Sequence, residues 1–375
     1  MSVVTNSMSS ATVVVIGLGD LGAHVVNALA QLRLGRLVAV DRTRDRADRV
    51  AGQAAVVAGL CGGAQRVQGC AGDVGDIEAT AGLLGRLDPD LVVMAASRHT
   101  WWRTRAGLAA IPYGAWLPLH VGLVRSLMQA RRESGSTVPV VCLPFPDAVG
   151  PVLRPLGLAP ELGAGNVAEV AAKLTVLASV VRGTVLADVS VRLIAHHAVE
   201  RFAFAAFGEL AGDEQLAGGG SPPYRAVVEV GGEPLAPDRV RQLFATFHPL
   251  LEGRDTHAMT AAATAATVAA TLGDRPRRIH VPGPGGRPGG YPVLASAGRV
   301  ELDLPPGVSE EEAVAINATA ARWDGIERIA DDGTITFTRE VAEVTERNFG
   351  WRLQRVGPGE LDAVAAELAE QLANG

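Results

Sequence analysis

The chain is short of several residue types, and each shortage excludes a class of protein. Its 34 basic residues include a single lysine, Lys173, and 40 acidic residues outnumber them, so the formal net charge is −6. This balance argues against a nucleic-acid-binding or membrane-surface protein, because both need clustered positive charge. The three cysteines (Cys61, Cys70 and Cys142) are odd in number and lack metal-ligand spacing. We therefore expect a reducing compartment, no disulfide framework and no metal site.

Long apolar runs are also missing. No run reaches the length that a membrane-spanning helix needs. Residues 1–11 are polar and contain neither the basic nor the apolar part of a signal peptide, so we expect a loose tail there. These absences predict a soluble, cytoplasmic protein. The 375 residues can bury a large core and favour two domains over one.

What the chain does have is a dinucleotide-binding pattern near its start. Thr12–Ile16 is a β-branched apolar run typical of a buried parallel strand, and Leu37–Val40 is a second such run that ends at Asp41. In a G-x-G-x-x-G pattern the first glycine permits a tight turn, the second lets a pyrophosphate approach and the third allows close packing. The helix that follows would offer its N-terminus to the phosphates. The pattern consists here of Gly17, Leu18, Gly19, Asp20, Leu21 and Gly22.

The residues at the ends of the predicted strands bear on the choice of cofactor. Asp41 can accept hydrogen bonds from ribose hydroxyls, which favours NAD. Arg42 can bind a 2′-phosphate, so NADP is the alternative, although Asp41 would repel that phosphate. A further predicted strand, Asp90–Met94, leads into Ala95 and Ala96, which are small enough for a cofactor to press against them.

The order of the patterns predicts the fold class. Strands and helices alternate from residue 12 to about 150, as in a doubly wound parallel Rossmann sheet. From 151 to 330 the pattern becomes that of a mixed α+β domain, where we expect the catalytic and substrate-binding residues. Residues 331–375 form a C-terminal extension with a short strand and an amphipathic helix on Leu361, Val364, Leu368 and Leu372.

One group of residues in the second domain suits catalysis. Glu169 and Lys173 are spaced i, i+4 in a predicted helix, so they share a face. His196 and His197 follow at the end of a predicted strand. A carboxylate that orients an imidazole, with a cation to hold an anionic substrate, suits hydride transfer with proton exchange. The alternative is a surface pair of Glu169 and Lys173 beside a structural histidine.

Taken together, residues from about 12 to about 330 resemble the lactate/malate dehydrogenase family. Gly163–Ala172 is similar to the family's G-x-G-x-x-L-D-x-x-R helix, and Ala195–Ala198 resembles its G-E-H-G turn, which carries the catalytic histidine. The later patterns follow the family's order: Thr260–Gly273, Ile279–Pro282, Gly290–Val293 and Ser309–Glu312.

The resemblance implies an NAD(H)-dependent oxidoreductase that acts on a small carbonyl or hydroxy substrate resembling a 2-keto acid. It makes His197 the proton donor and acceptor, with His196 as the alternative in register, and Glu169 the group that orients the ring. It also implies a homodimer. No counterpart in the family is expected for residues 331–375.

Two departures alter the grip on the substrate. Ala172 stands where the family has an arginine that clamps the substrate carboxylate, and Leu143-Pro144 stands where it has an asparagine-proline pair. Lys173, Arg103 or Arg105 would then hold the substrate's anion. A single ammonium cannot reproduce the bidentate fork of a guanidinium, so the usual 2-keto-acid grip is not expected.

Other functions stay open at this stage. The site could be degraded, which would leave an NAD-binding scaffold or regulatory subunit, or the chain could be an opine- or imine-type reductase. An NAD-dependent glycosidase related to the malate enzymes would need a metal, and Cys142 lacks a convincing partner ligand. A short-chain dehydrogenase is excluded, because no tyrosine lies four residues before Lys173.

Overall fold

The computed structural model describes residues 6–63, 65–98, 108, 111–204, 220–251 and 253–373. Arg103 and Arg105 lie outside the described residues. Within them, none of the helices is both long and apolar enough to span a bilayer.

The helices and strands follow one another along the whole described chain. The strands are β1 Thr12–Ile16, β2 Arg36–Asp41, β3 Arg66–Ala71, β4 Leu91–Met94, β5 Val140–Cys142, β6 Leu162–Gly163, β7 Val189–Ile194, β8 Arg225–Val230, β9 Glu233–Pro234, β10 Arg277–Pro282, β11 Gly290–Ser296, β12 Arg299–Leu302, β13 Ile326–Ile329, β14 Ile335–Phe337 and β15 Arg355–Val356. The α-helices are α1 Asn6–Ser10, α2 Asp20–Leu29, α3 Arg44–Leu60, α4 Ile77–Leu87, α5 Pro118–Glu133, α6 Pro146–Leu153, α7 Val167–Arg182, α8 Glu200–Phe204, α9 Pro237–Ala245, α10 His257–Leu272, α11 Glu310–Ala320, α12 Arg339–Phe349 and α13 Leu361–Ala373.

The first part of the chain forms a six-stranded parallel sheet with the order β3-β2-β1-β4-β5-β6. This confirms the predicted doubly wound Rossmann sheet. The strand order reverses between β1 and β4, and ligands of such sheets bind in the crevice that this reversal opens at the carboxyl ends of the strands. The fingerprint follows β1, so it lies at that crevice. The sixth strand lies beyond residue 150, where we had placed the end of this domain.

Both faces of the sheet are covered, as its apolar strands require. Val14 and Ile16 of β1 belong to one hydrophobic cluster, whereas Val13 and Val15 belong to another. Successive side chains of a strand point to opposite faces, so β1 contributes to the core on both sides. The uninterrupted β-branched run at Thr12–Ile16 follows from this two-sided burial.

The remaining strands form three small antiparallel sheets, β7-β8-β9, β10-β11-β12 and β13-β14-β15. A bridge between Ala195 and Gly290 joins the end of β7 to the start of β11. This part has the mixed α+β character that we predicted. We had placed a domain boundary at residue 330. The third sheet starts at Ile326, so it has strands on both sides of that boundary. A short helix, α1, occupies part of the tail that we had expected to be loose.

Candidate active site

The three glycines of the fingerprint meet different steric demands. Gly17 has φ +92°, and a Cβ there would lie 2.4 Å from the backbone of Ala96. A Cβ on Gly22 would lie 1.9 Å from the carbonyl oxygen of Gly17. Gly19 is different, because no atom lies within 4 Å of the position that its Cβ would take. The loop is therefore tightly packed at its first and third glycines and open at its second, where a pyrophosphate needs room.

Asp41 lies beside this loop and ties it to the end of β2. Its Oδ2 accepts a hydrogen bond from the backbone N–H of Leu18 at 3.1 Å, and its Oδ1 accepts one from the N–H of Thr43 at 3.1 Å. An ionised carboxylate has about four acceptor sites, so ribose hydroxyls can still bind to it. The neighbouring Arg42 is exposed. On the other side of β1, the N–H of Ala95 donates to the carbonyl of Ile16 at 2.8 Å.

A second group of residues surrounds the predicted catalytic histidine. His197 begins a 3₁₀ turn shortly after β7, and its Nδ1 lies 2.7 Å from Oδ2 of Asp324. Its Nε2 lies 3.9 Å from Oε2 of Glu200. Its backbone N–H donates to Oδ1 of the buried Asp147 at 3.2 Å. Three carboxyl groups from three different segments therefore face one histidine.

These acidic groups keep the imidazole of His197 charged at neutral pH. Burial favours the neutral ring, but the charge and the hydrogen bond of Asp324 oppose it, with further contributions from Glu200 and Asp147. The result raises the pKa of His197 from 6.5 to about 10. Burial would raise the pKa of Asp324, yet the adjacent imidazolium holds it below its ordinary value. His197 and Asp324 thus form an ion pair at pH 7.

The partner of His197 corrects our expectation for Glu169. The carboxylate that contacts the ring is Asp324, which ends the 3₁₀ turn Ala321–Asp324, and not Glu169. Glu169 is buried in α7, and its Oε1 accepts a hydrogen bond from Oγ1 of Thr260 at 2.7 Å. Burial, and then the charge and hydrogen bond of Glu200, raise its pKa well above the ordinary value. A carboxyl with a raised pKa is less suited to balance the charge of an imidazolium than Asp324, whose pKa is lowered.

Lys173 also differs from our expectation. Its ammonium is buried, donates to the backbone carbonyls of Ala203 and Phe244, and lies 5.7 Å and 5.9 Å from the ring centres of Phe204 and Phe244. Burial lowers its pKa to about 8. These contacts hold α8 and α9 against α7. The alternative of a surface pair is wrong too, because both Glu169 and Lys173 are buried.

Aromatic rings hold His197 from one side. Tyr113 stacks on His197 with ring centres 4.1 Å apart and on Phe145 with centres 4.2 Å apart. Phe145 in turn stacks on His120 at 4.5 Å. Phe145 adopts φ +46°, and Asn166, which donates to Asp147, adopts φ +33°. Non-glycine residues in this left-handed region are strained, and such strain concentrates at functional sites.

His196, the alternative in register, also contacts Asp324. It is buried, and its Nδ1 accepts a hydrogen bond from the N–H of Ala198 at 3.2 Å and lies 3.4 Å from Oδ2 of Asp324. The same oxygen of Asp324 therefore lies near both histidines and is closer to His197.

The sequence did not point to Asp147, Glu200 or Asp324. Glu200 offered a weak signal, since it lies one helical turn after His197. Asp147 lies in the first turn of α6, which begins at Pro146, and an acidic residue is common there. Asp324 offered none. No cluster of three metal-binding side chains occurs among the described residues.

No protein-family model matches the sequence, and neither does any curated protein. Solved structures do match. Malate dehydrogenase from Cryptosporidium parvum shares 14% identity with a TM-score of 0.56, and the match covers 83% of this chain and 95% of that one.

Two other structures extend the comparison. Malate dehydrogenase from Aeropyrum pernix shares 14% identity with a TM-score of 0.54, over 83% of this chain and 97% of that one. Lactate dehydrogenase from Eimeria maxima, solved with NADH and oxamate, shares 10% identity with a TM-score of 0.56, over 83% and 91%.

The chain has the lactate/malate dehydrogenase fold. The predicted resemblance is thereby confirmed for the path of the backbone. At 10% to 14% identity the lactate/malate dehydrogenase fold does not assign roles to side chains, so the chemistry has to be argued from the residues of this chain.

Proposed function

We propose that this chain is an NAD(H)-dependent oxidoreductase that exchanges a hydride and a proton with a small carbonyl or hydroxy compound. The observation that carries the proposal is the pair of His197 and Asp324, 2.7 Å apart, in a chain that also has an open dinucleotide fingerprint. A half-buried imidazole held by a carboxylate is the arrangement that general acid–base catalysis needs.

The residues around the fingerprint fit a dinucleotide. In the proposed complex the backbone from Gly17 to Gly22, including Leu18, Asp20 and Leu21, holds the pyrophosphate over the open position at Gly19. Asp41 accepts the ribose hydroxyls, and Ala95 and Ala96 allow close approach at the end of β4. The bound cofactor supplies or accepts the hydride. Asp41 favours NAD, and the exposed Arg42 keeps NADP as the alternative.

His197 moves the proton in this proposal. Its charged ring donates the Nε2 proton to the carbonyl oxygen during reduction and recovers it during oxidation. Asp324 binds Nδ1 and stabilises the imidazolium, so it acts as a positioning residue. His196 has its Nδ1 occupied by the N–H of Ala198, which favours His197 for the role.

The residues that bind the substrate's anion differ from those that the resemblance implies. Ala172 offers no charge, and the ammonium of Lys173 binds backbone carbonyls instead. Arg103 and Arg105 are therefore the proposed anion-binding groups. Asp147, Glu200 and Asp324 surround His197, and their charges disfavour a second carboxylate on the substrate. A carbonyl or imine compound with at most one carboxylate fits these surroundings best.

The test combines cofactor binding with turnover. Fluorescence titration with NADH and NADPH should show saturable binding, tighter for NADH, and a screen of 2-keto acids and neutral carbonyl compounds should reveal oxidation of the bound NADH. His197→Ala should retain NADH binding and lose turnover by at least about 100-fold, whereas the matched change His248→Ala should retain both. Full turnover in His197→Ala would disprove the assignment.

The missing arginine clamp favours a second candidate function, an NAD-binding scaffold or regulatory subunit. Tight NADH binding without turnover on any compound of the screen would support it. We further propose a homodimer, by resemblance, and a cytoplasmic location, because the three cysteines are all free. Sedimentation of the purified chain tests the dimer.

A further inference from the structure

A cleft lined by His196 contains none of the residues of the dinucleotide fingerprint. It has a volume of about 540 Å³ and opens between α6, the turn Pro284–Gly286, α11 and β13. Pockets of this size accommodate small organic molecules. Most of its wall is apolar, contributed by Ala148, Pro151, Val314, Ala318, Ile326 and Ile329.

The rim of the cleft carries positive charge without partners. Nearby, Arg287 pairs with Glu310 and Arg322 pairs with Glu327. Arg154 and Arg328 also line the cleft and are exposed, yet neither has an acidic group within salt-bridge distance in the described parts of the chain. An apolar wall with two free guanidinium groups at its rim suits an organic carboxylate.

The acidic residues of the cleft limit the charge of such a ligand. Glu327 is neutralised by Arg322, and Asp147 is buried and accepts hydrogen bonds from Asn166 and from the N–H of His197. Asp331 remains as an exposed carboxylate that lines the cleft. Asp147 and Asp331 offset part of the positive charge of the two arginines, which favours a single carboxylate on the ligand over two.

His196 forms part of the cleft wall and connects it to the reaction site. It is 4% exposed and lines the cleft. Its Nδ1 accepts a hydrogen bond from the N–H of Ala198. Nδ1 lies 3.4 Å from the same Asp324 oxygen that contacts His197 at 2.7 Å. A ligand that shifts His196 therefore changes the surroundings of this oxygen.

We propose that this cleft binds a small monocarboxylate with an apolar body, and that the bound ligand changes the environment of His197 through His196 and Asp324. The binding step stands by itself, and the effect on the reaction rests on the proposed function. Coupling between two sites is reciprocal, so a cofactor or substrate that alters the contact of His197 with Asp324 alters the affinity of the cleft by the same factor.

Binding can be tested by calorimetry on the full chain with three probes. 3-Phenylpropionate should bind saturably, its amide should bind at least tenfold more weakly, and phenylsuccinate should be weaker than the monocarboxylate because of Asp331. Arg154→Ala and Arg328→Ala should each weaken 3-phenylpropionate binding at least tenfold. The control Arg66→Ala, at an exposed arginine of β3, should leave it unchanged.

Ala318→Trp fills the cleft from an exposed position on α11 and should abolish binding while NADH affinity, measured as a check on folding, is retained. Unchanged binding of 3-phenylpropionate in Ala318→Trp and in both arginine variants would overturn the site, as would equal affinity for the amide.

The effect of the bound ligand on His197 is measured separately, from the ring nitrogen resonances of the histidines in NMR spectra. Saturating 3-phenylpropionate should shift the signals of both His196 and His197, and His196→Gln should remove the shift of His197. Saturable binding with no change at His197 would disprove the coupling. Because neither measurement needs turnover, a chain without dehydrogenase activity would refute the proposed function and leave this proposal standing.

Discussion

The charge on His197 sets a direction for the pH dependence of the proposed reaction. Reduction of a carbonyl needs the protonated ring and oxidation needs the neutral one. With the pKa of His197 near 10, oxidation should accelerate about tenfold for each pH unit between 7 and 9, whereas reduction should fall only above about pH 10. The profile of kcat/KM in both directions measures this.

Asp324→Asn should move both limbs of that profile to lower pH. The amide keeps a hydrogen-bonding group in place but removes the charge that stabilises the imidazolium. Asp362→Asn, which removes a surface partner of Arg125, is the matched control and should leave the midpoint where it is. An unchanged midpoint in Asp324→Asn would show that this carboxylate does not hold the proton on His197.

Residue by residue, the sequence was informative only where the chemistry is local. The glycine fingerprint and Asp41 lie within one strand-helix-strand unit, so their spacing alone predicts that they meet. Asp324 lies 127 residues after His197, and only the packing of the turn Ala321–Asp324 brings them together. The helical position of Glu169 predicts a carboxylate near the histidine, but burial and Glu200 raise its pKa, and Asp324 makes the contact.

Among the elements, the turn from β1 to α2 offers a test that separates binding from folding. Gly19 has φ −60°, which alanine adopts readily, and open space around it. Gly19→Ala should therefore fold normally but lose at least about tenfold in NADH affinity, because the added methyl group lies where the pyrophosphate approaches.

Two further glycine variants serve as controls for Gly19→Ala. Gly17→Ala should lower stability, since its Cβ would meet the backbone of Ala96 at 2.4 Å. Gly52→Ala, in the open part of α3, should leave NADH affinity unchanged. Fluorescence titration and thermal unfolding measure the two effects. If Gly19→Ala bound NADH with wild-type affinity, the pyrophosphate would not bind at this loop.

The contact between β10 and β7 predicts acid sensitivity. The buried Nε2 of His280 accepts a hydrogen bond from the N–H of Leu193 at 3.1 Å, and burial, with Arg278, lowers the pKa of His280 to about 3. A histidine that is neutral in the fold but protonated when unfolded stabilises the fold above pH 6.5, and this contribution is lost as the pH falls towards 3. Between pH 6.5 and 5 the free energy of unfolding should drop by roughly 2 kcal/mol.

Urea unfolding at several pH values measures how steeply the free energy of unfolding falls with falling pH. His280→Gln should flatten this dependence whatever its stability at pH 7, and His248→Gln should not. If His280→Gln lost as much stability between pH 6.5 and 5 as the wild type, other groups would cause the acid sensitivity.

The strands were the most predictable elements, because burial on both faces of the sheet requires apolar β-branched runs such as β1 and β2. Short elements were harder to predict from the sequence. β6 is only two residues long, and its place at the edge of the sheet depends on pairing with β5 rather than on any pattern of its own.

At the scale of the whole molecule, the C-terminal extension is continuous with the Rossmann core. Leu361, Ala365 and Leu368 of α13 belong to the same hydrophobic cluster as Val92 of β4, and α13 packs against α5. No sequence pattern could show this, because an amphipathic helix reveals its apolar face but not the surface that the face covers.

That packing predicts a large effect of a small change near the end of the chain. Leu368 is fully buried, and Leu368→Ala should lower the free energy of unfolding by about 2–5 kcal/mol. Leu60→Ala, at a side chain that is 84% exposed, should change it by less than about 0.5 kcal/mol. A cost below 1 kcal/mol for Leu368→Ala would mean that the extension is not part of the cooperative core.

The long separation between His197 and Asp324 also has a consequence for biosynthesis. The dinucleotide-binding half emerges from the ribosome first, but its cluster around Val92 also contains Leu361 and Leu368, so that core stays incomplete until the last helix has been made. The contact of His197 with Asp324 likewise forms only after most of the chain has been translated. The sheet and the surroundings of the histidine are therefore completed together, late in synthesis.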